Sequence, residues 1–319
     1  KVYFLAKLAV PVAMVVDRNN VESGPDWDRH PNGTGPFRLK EWKKGELLIF
    51  ERNEQYHQGR VELEHLVYLL YAGVPIRMYE NGEIDIAEVY PTDLERVLDP
   101  NNPLNAELLT SPGFCTMSAV YDVTVPPFDD VNVRQALNHA IDKGRLIEVA
   151  FKDSVREANS VFPPGYPGYS GEFDIFPYDP ARAKELVAAS KYGSVDNFPP
   201  VVLTTSGVGG DLSPAVAEML RMWRENLGVE VQVEQMDPET YIDEVHDHHG
   251  QIVFIGWCAE YPDPENFLDV LFHSKSKENL GHYNNTQVDK GLEKVRVERD
   301  VWTRLALFRL AVEGQSSPD

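Results

Sequence analysis

Three short stretches carry residue types able to do chemistry. Residues 246–249, HDHH, gather three histidines in four positions, and two imidazoles at suitable spacing hold zinc when an acid or a third histidine completes the set. The local spacing supplies no such ligand, and the cluster sits where a helical run gives way to the turn at Gly250, a place where solvated polar residues are ordinary. Residues 206–210, SGVGG, follow a strand-like run and precede a helical one, as a phosphate-cradling loop does. They lack both the GK[ST] ending and the GxGxxG spacing, which leaves a flexible connection as the simpler reading. No GxSxG elbow occurs, and neither cysteine lies in a nucleophile motif. Residues 255–268, IGWCAEYPDPENFL, are different: an apolar run ends in Trp257, Cys258, Glu260 and Tyr261 and then breaks into prolines. A carboxylate walled by aromatic faces attracts and orients an ammonium group, which is binding with no bond broken. A solvated loop acid beside core aromatics is the plainer alternative.

The elements that position these residues come in two styles. Runs 37–42, 47–52 and 63–71 read as three short strands, the first two forming a hairpin around KKGE. A helical turn closed by Gly82, a strand over 84–89 and a short helix DLERVL capped by Thr92 follow, and then DPNNPLN (99–105), a turn cluster and candidate linker. From Cys115 onward, strands and helices alternate. VNVRQALNHAI has apolar residues at helical spacing behind Asp129 and Asp130, and YDPARAKELVAA starts behind Asp179 and Pro180. VVLTT, then a helix capped by Ser213, opened by Pro214 and stopped by Gly228, then VEVQVEQM form strand, crossover helix, strand, the unit of a parallel sheet. Asp237 caps a short helix over 238–246 that leads to QIVFIGW, a run suited to a central strand buried on both faces. Residues 255–268 thus begin at the carboxyl end of a strand in an open α/β sheet, where such sheets bind ligands. Residues 288–314 read as one long helix.

Cys115 and Cys258 can lie at the same end of that sheet. A bridge between them would close a loop of about 143 residues, worth on the order of 4–5 kcal/mol by chain entropy, and two buried free thiols are the other reading. Composition leaves the choice open. The 319 residues contain 30 basic and 51 acidic side chains, a net charge of −21, which repels phosphate backbones and speaks against a nucleic-acid partner. No apolar run approaches the roughly 18–20 residues that span a bilayer. The opening KVYFLAKLAVPVAMVVD is interrupted by Lys7 and Pro11 and is not expected to be a signal peptide.

Six ordered motifs together resemble one family: GTGPFRLKEWKKGELLIFERNEQY (33–56), NGEIDIAEV (81–89), PPFDDVNVRQALNHAIDK (126–143), FPPGYPGY (162–169), YDPARAKELV (178–187) and GWCAEYPDPENFLDVLF (256–272). They are similar to the extracellular solute-binding proteins of the peptide/nickel class, the oligopeptide- and dipeptide-binding components of ABC transporters. The resemblance implies an α/β, periplasmic-binding-protein-like two-lobed fold of type II character, here one near-complete lobe and part of the other. Residues 1–112 resemble a middle segment of lobe one, with sheet edges exposed for want of partner strands, and 113–319 the second lobe, ending in the long helix. The chain would then be a fragment. The implied role is non-enzymatic and needs no cofactor: capture of peptides outside the cytoplasm and delivery to the membrane subunits of an ABC permease, by a protein that is periplasmic or extracellular and lipoprotein-anchored when complete. The same scaffold in relatives carries oligosaccharides or nickel complexes, the nearest alternative; a metal-dependent hydrolase using HDHH is a remote one. By the resemblance, Gly256 and Cys258 offer main-chain groups to an extended peptide, Glu260 stands where an aspartate usually holds the peptide ammonium group, and Trp257 and Tyr261 form side walls. Some relatives have cysteines matching Cys115 and Cys258, which implies a disulfide and an extracytoplasmic compartment. Tyr283 and Asn284, in HYNN, are further ligand candidates that a helix cap would also explain.

Overall fold

The computed structural model describes residues 2–70, 73–111, 113–169, 171, 176–207, 209–247, 250–300 and 302–308. The chain divides into two compact units, residues 11–102 and a larger one in which the first ten residues join Pro103–Asp319. The division falls within the DPNNPLN turn cluster. The first residues join the larger unit because Tyr3 is buried there, stacked on Tyr261, and Lys7 pairs with Glu265 at 3.2 Å.

In the smaller unit β1 (Phe37–Lys43), β2 (Leu47–Arg52) and β3 (His65–Leu69) form an antiparallel sheet in that order, so β1 and β3 are its outer strands. The β1–β2 turn passes through Gly45 at φ +76°, a left-handed conformation that a glycine adopts without penalty. Helices Pro75–Glu80 and Leu94–Leu98 contribute the buried Ile76 and Val97. Residues 84–89 form no strand. Ile84 and Ile86 alternate with acids as a half-buried strand would, but no described strand lies beside them and Ile86 is 86% exposed. Nor does Thr92 cap the following helix: its hydroxyl bonds the Asp93 carboxylate, and Asp93 holds the cap position without a side-chain cap bond.

The larger unit is built on a four-stranded sheet, β4 (Cys115–Tyr121), β7 (Ile252–Cys258), β5 (Val201–Ser206) and β6 (Val231–Met236) in spatial order. The β5–β6 pair is parallel and joined through helix Pro214–Leu227, which Ser213 caps and Gly228 stops at φ +76°. β7 is parallel to β5 and antiparallel to β4, so the sheet is mixed. Helices Val131–His139, Pro180–Ala189 and Pro214–Leu227 cover one face, burying Phe128, Leu137, Leu186, Leu203, Trp223 and Ile252. The Trp223 indole also donates to the Leu137 carbonyl at 3.0 Å, so its one polar atom is satisfied in the core. Truncating it would cost about 3–5 kcal/mol.

Two expectations need correction. β7 is buried only at Ile252 and Val253, and its carboxyl half becomes half-exposed or exposed. The long terminal helix is broken. Helix Thr286–Val295, capped by Asn285, ends at Arg296, and residues 302–308 are helical again. Apolar periodicity continues across the gap through Val288, Leu292, Val295 and Phe308, all buried, which is why the pattern reads as one helix. Arginines on either side of the gap tie both runs to the same unit: Arg296 forks onto Asp269 at 2.8 and 2.8 Å, and Arg304 onto Asp263 at 2.7 and 2.7 Å. Residue 301 and those beyond 308 lie outside the described residues. Among the described residues no helix is long and apolar enough to cross a membrane.

Candidate ligand-binding site

The carboxyl half of β7 owes its properties to two alternations. The first concerns main-chain groups. The Ala259 N–H donates to the Phe114 carbonyl at 2.8 Å, and the Gln251 carbonyl accepts from the Asp122 N–H at 3.0 Å. Odd-numbered residues therefore turn their main chain toward β4, and Phe254, Gly256 and Cys258 turn theirs to the other side. On that side β5 pairs with β7 only at Leu203↔Ile252 and Thr204↔Val253. The Phe254 carbonyl is taken by the Tyr241 hydroxyl at 2.8 Å. Beyond it, the main-chain groups of Gly256 and Cys258 face no partner strand among the described residues, which makes a free strand edge.

The second alternation concerns side chains. Ile252 and Phe254 share a face with Ala119 and Tyr121 of β4, under the covering helices. The same face continues into Met117, Gly256, Cys115 and Cys258, all exposed. Cys115 and Cys258 are directly opposed in register and joined in a disulfide. Met117 opposes Gly256, and its Sδ stands 2.6 Å from where a Cβ on that glycine would lie. The thioether thus lies across the strand, and any larger residue at 256 would displace it. Trp257 points to the opposite face, half-buried in a cluster with Phe162, Tyr166 and Phe267, and its indole donates to the Asn266 carbonyl at 2.9 Å.

The loop after β7 is held from behind by buried polar groups. The Glu260 N–H donates to Asn266 Oδ1 at 3.0 Å, and Asn266 is buried. Tyr261 is 5% exposed; its hydroxyl donates to the Glu265 carboxylate and its ring stacks on Tyr3. Burial, and secondarily the Glu265 hydrogen bond, push the Tyr261 phenol well above its ordinary range. Lys7 completes the group, 3.2 Å from Glu265 and about 5 Å above both tyrosine rings. The Tyr166 hydroxyl lies 2.7 Å from the carbonyls of both Tyr261 and Asp263, donating to one at a time, and accepts from the Asp263 N–H at 2.9 Å. Against this fixed frame the Glu260 side chain is exposed and has no ion-pair partner among the described residues.

The structure thus brings Gly256, Cys258 and Glu260 together at one exposed end of the sheet. It places Trp257 on the covered face and Tyr261 inside the loop, so neither ring stands beside the free edge as a wall. Tyr283 packs against Phe272, and the preceding Gly281 lies on Tyr121, at the end of β4 far from Cys115. Asn284 is exposed, and the adjacent Asn285 does the capping. Of HDHH, His246 bonds Glu278 at 2.9 Å, while His248 and His249 lie outside the described residues. In SGVGG the Gly207 and Gly209 amides donate to Met236 and Gln235 of β6. A cavity of about 520 Å³ lined by Phe198, Pro199, Pro200 and Val229 opens at the amino ends of β5 and β6, the end of the sheet opposite Glu260. Met117, Asn266, Tyr166 and Arg304 escaped the sequence reading. Tyr166 and Asn266 had a signal, their places in FPPGYPGY and in GWCAEYPDPENFLDVLF.

A mixed α/β sheet with helices packed on its face is the fold this chain shares with solved periplasmic binding proteins. A family model, the bacterial extracellular solute-binding proteins, family 5 Middle, matches residues 2–279, and the chain belongs to that family. It is 28% identical to the glutathione-binding protein GsiB of Salmonella typhimurium over 97% of this chain and 61% of that protein. It is 26% identical to di/tripeptide-binding protein 2 of Pseudomonas aeruginosa over 97% of this chain and 59% of that one. The structure of the Escherichia coli murein tripeptide binding protein MppA superposes with a TM-score of 0.83 at 26% identity, covering 98% of this chain and 63% of that one. The chain therefore spans about 61% of the length of the relatives it matches.

Proposed function

We propose that the complete protein is the substrate-binding component of an ABC importer, which captures short peptides outside the cytoplasm and hands them to membrane permease subunits without chemistry. The free edge at Gly256 and Cys258 beside Glu260 carries this reading. An extended peptide can add to such an edge as a further strand, with main-chain bonds giving affinity irrespective of sequence. Glu260, solvent-facing and next to that edge, is suited to hold the peptide ammonium group through a charge-assisted hydrogen bond. Relatives named for glutathione, for di- and tripeptides and for murein tripeptide support a small peptide over an oligosaccharide or a nickel complex. Residues 113–319 correspond in this reading to the second lobe. The disulfide and the family's extracellular character support a periplasmic or extracellular site; a lipid anchor in the complete protein is part of the proposal and rests on the resemblance alone.

Glu260→Gln in the complete protein tests the anchor. The unaltered protein is expected to bind a free tripeptide about tenfold to a hundredfold more tightly than its amino-acetylated form, the worth of a hydrogen bond to a charged group. The variant should bind both forms with the weaker affinity. Equal affinity of variant and parent for the free tripeptide, by calorimetry, would refute the role of Glu260.

A further inference from the structure

We propose that Met117 and the Cys115–Cys258 disulfide together form a side-chain subsite that selects an apolar, above all aromatic, residue of the bound peptide; this rests on the peptide reading above. Met117 opposes Gly256 and Cys115 opposes Cys258 two positions along the same strand pair, so all three sulfur atoms belong to one face of the sheet. That face is uncovered here: Met117 is 52% exposed, and both cysteines and Gly256 are exposed.

Gly256 makes the arrangement work. A peptide strand added along the free edge sends alternate side chains to this face, and the one opposite position 256 meets no Cβ there. It meets the Met117 thioether instead, which already reaches across the glycine from β4. Cross-strand neighbours interact directly and on the diagonal at distances that a long or aromatic side chain bridges, so the same ligand residue reaches the disulfide one pair further on. Polarisable sulfur favours contact with aromatic rings, and the unbranched methionine reshapes itself around different apolar groups. The subsite therefore discriminates by class, apolar against polar, and tolerates differences in shape.

The test uses the complete protein and tripeptides with a free amino group that carry phenylalanine or serine at one of the three positions in turn. The parent should prefer phenylalanine at one position. Met117→Gln, which keeps the length and introduces a polar end, should lower that preference about fivefold, the scale of one buried methylene's worth of apolar contact. Met117→Leu, which keeps the contact apolar, should keep most of it. Both side chains replace a half-exposed residue, and unchanged melting temperatures would show that the fold is intact. The same preference in all three proteins would overturn the proposal. So would a parent that binds every peptide through its free amine without preference, and that result would leave the peptide reading standing. A parent that binds none of the peptides would remove both.

Discussion

Glu260 and Glu265 sit in the same short stretch and do opposite work. Glu265 is 4% exposed, paired with Lys7 and hydrogen-bonded by the Tyr261 hydroxyl, whereas Glu260 is exposed with only its main chain tied down. The first fixes the loop and the second is left available to a ligand. A similar contrast sets the acid stability of the larger unit. Glu218 is buried between Arg221, which forks onto it at 2.6 and 2.7 Å, and Arg145 at 2.8 Å. Led by the Arg221 hydrogen bonds, these partners hold its carboxyl down to about 2, against an ordinary 4.5. A folded-state value below the unfolded one contributes stability above pH ~4.5 that is lost as pH falls toward ~2, on the order of 2 kcal/mol after discounting the exposed arginines. Glu218→Gln should therefore destabilise the protein at pH 7, by less than half as much at pH 3, and hardly at all below pH 2. Equal destabilisation at all three, in urea titrations, would show that the pair adds nothing through charge. At this scale the sequence was half legible. The family resemblance picked out Gly256 and Cys258, but the sequence does not reveal that Tyr261 turns inward to Glu265 and Tyr3, because Tyr3 comes from the far end of the chain.

At the scale of elements, β7 is the part that matters. Its amino half is clamped between β4 and β5, and its carboxyl half is held on the β4 side alone, by main-chain bonds and the disulfide. Replacing both cysteines by serine, which leaves no lone thiol to react, should cost about 5 kcal/mol by the loop-entropy argument for a separation of 143 residues. A loss below about 1 kcal/mol in denaturant titrations would mean that pairing with β4 alone holds the strand end. The strand–helix–strand unit around Pro214–Leu227 was readable because caps, period and stop residue all agree with one another. The terminal helix and the strand over 84–89 were misread for a shared reason: periodicity reports which residues are apolar, and it is silent on buried arginine forks and on whether a neighbouring strand exists.

For the whole molecule, a net charge of −21 and the family match exclude little by themselves about which solute is carried. Capture of peptides at the free edge beside Glu260 is checked by native mass spectrometry of the complete protein as purified, with release and sequencing of whatever is bound. A set of short peptides with free amino groups and varied sequence is the expected result. A single sugar or metal chelate in their place would contradict it.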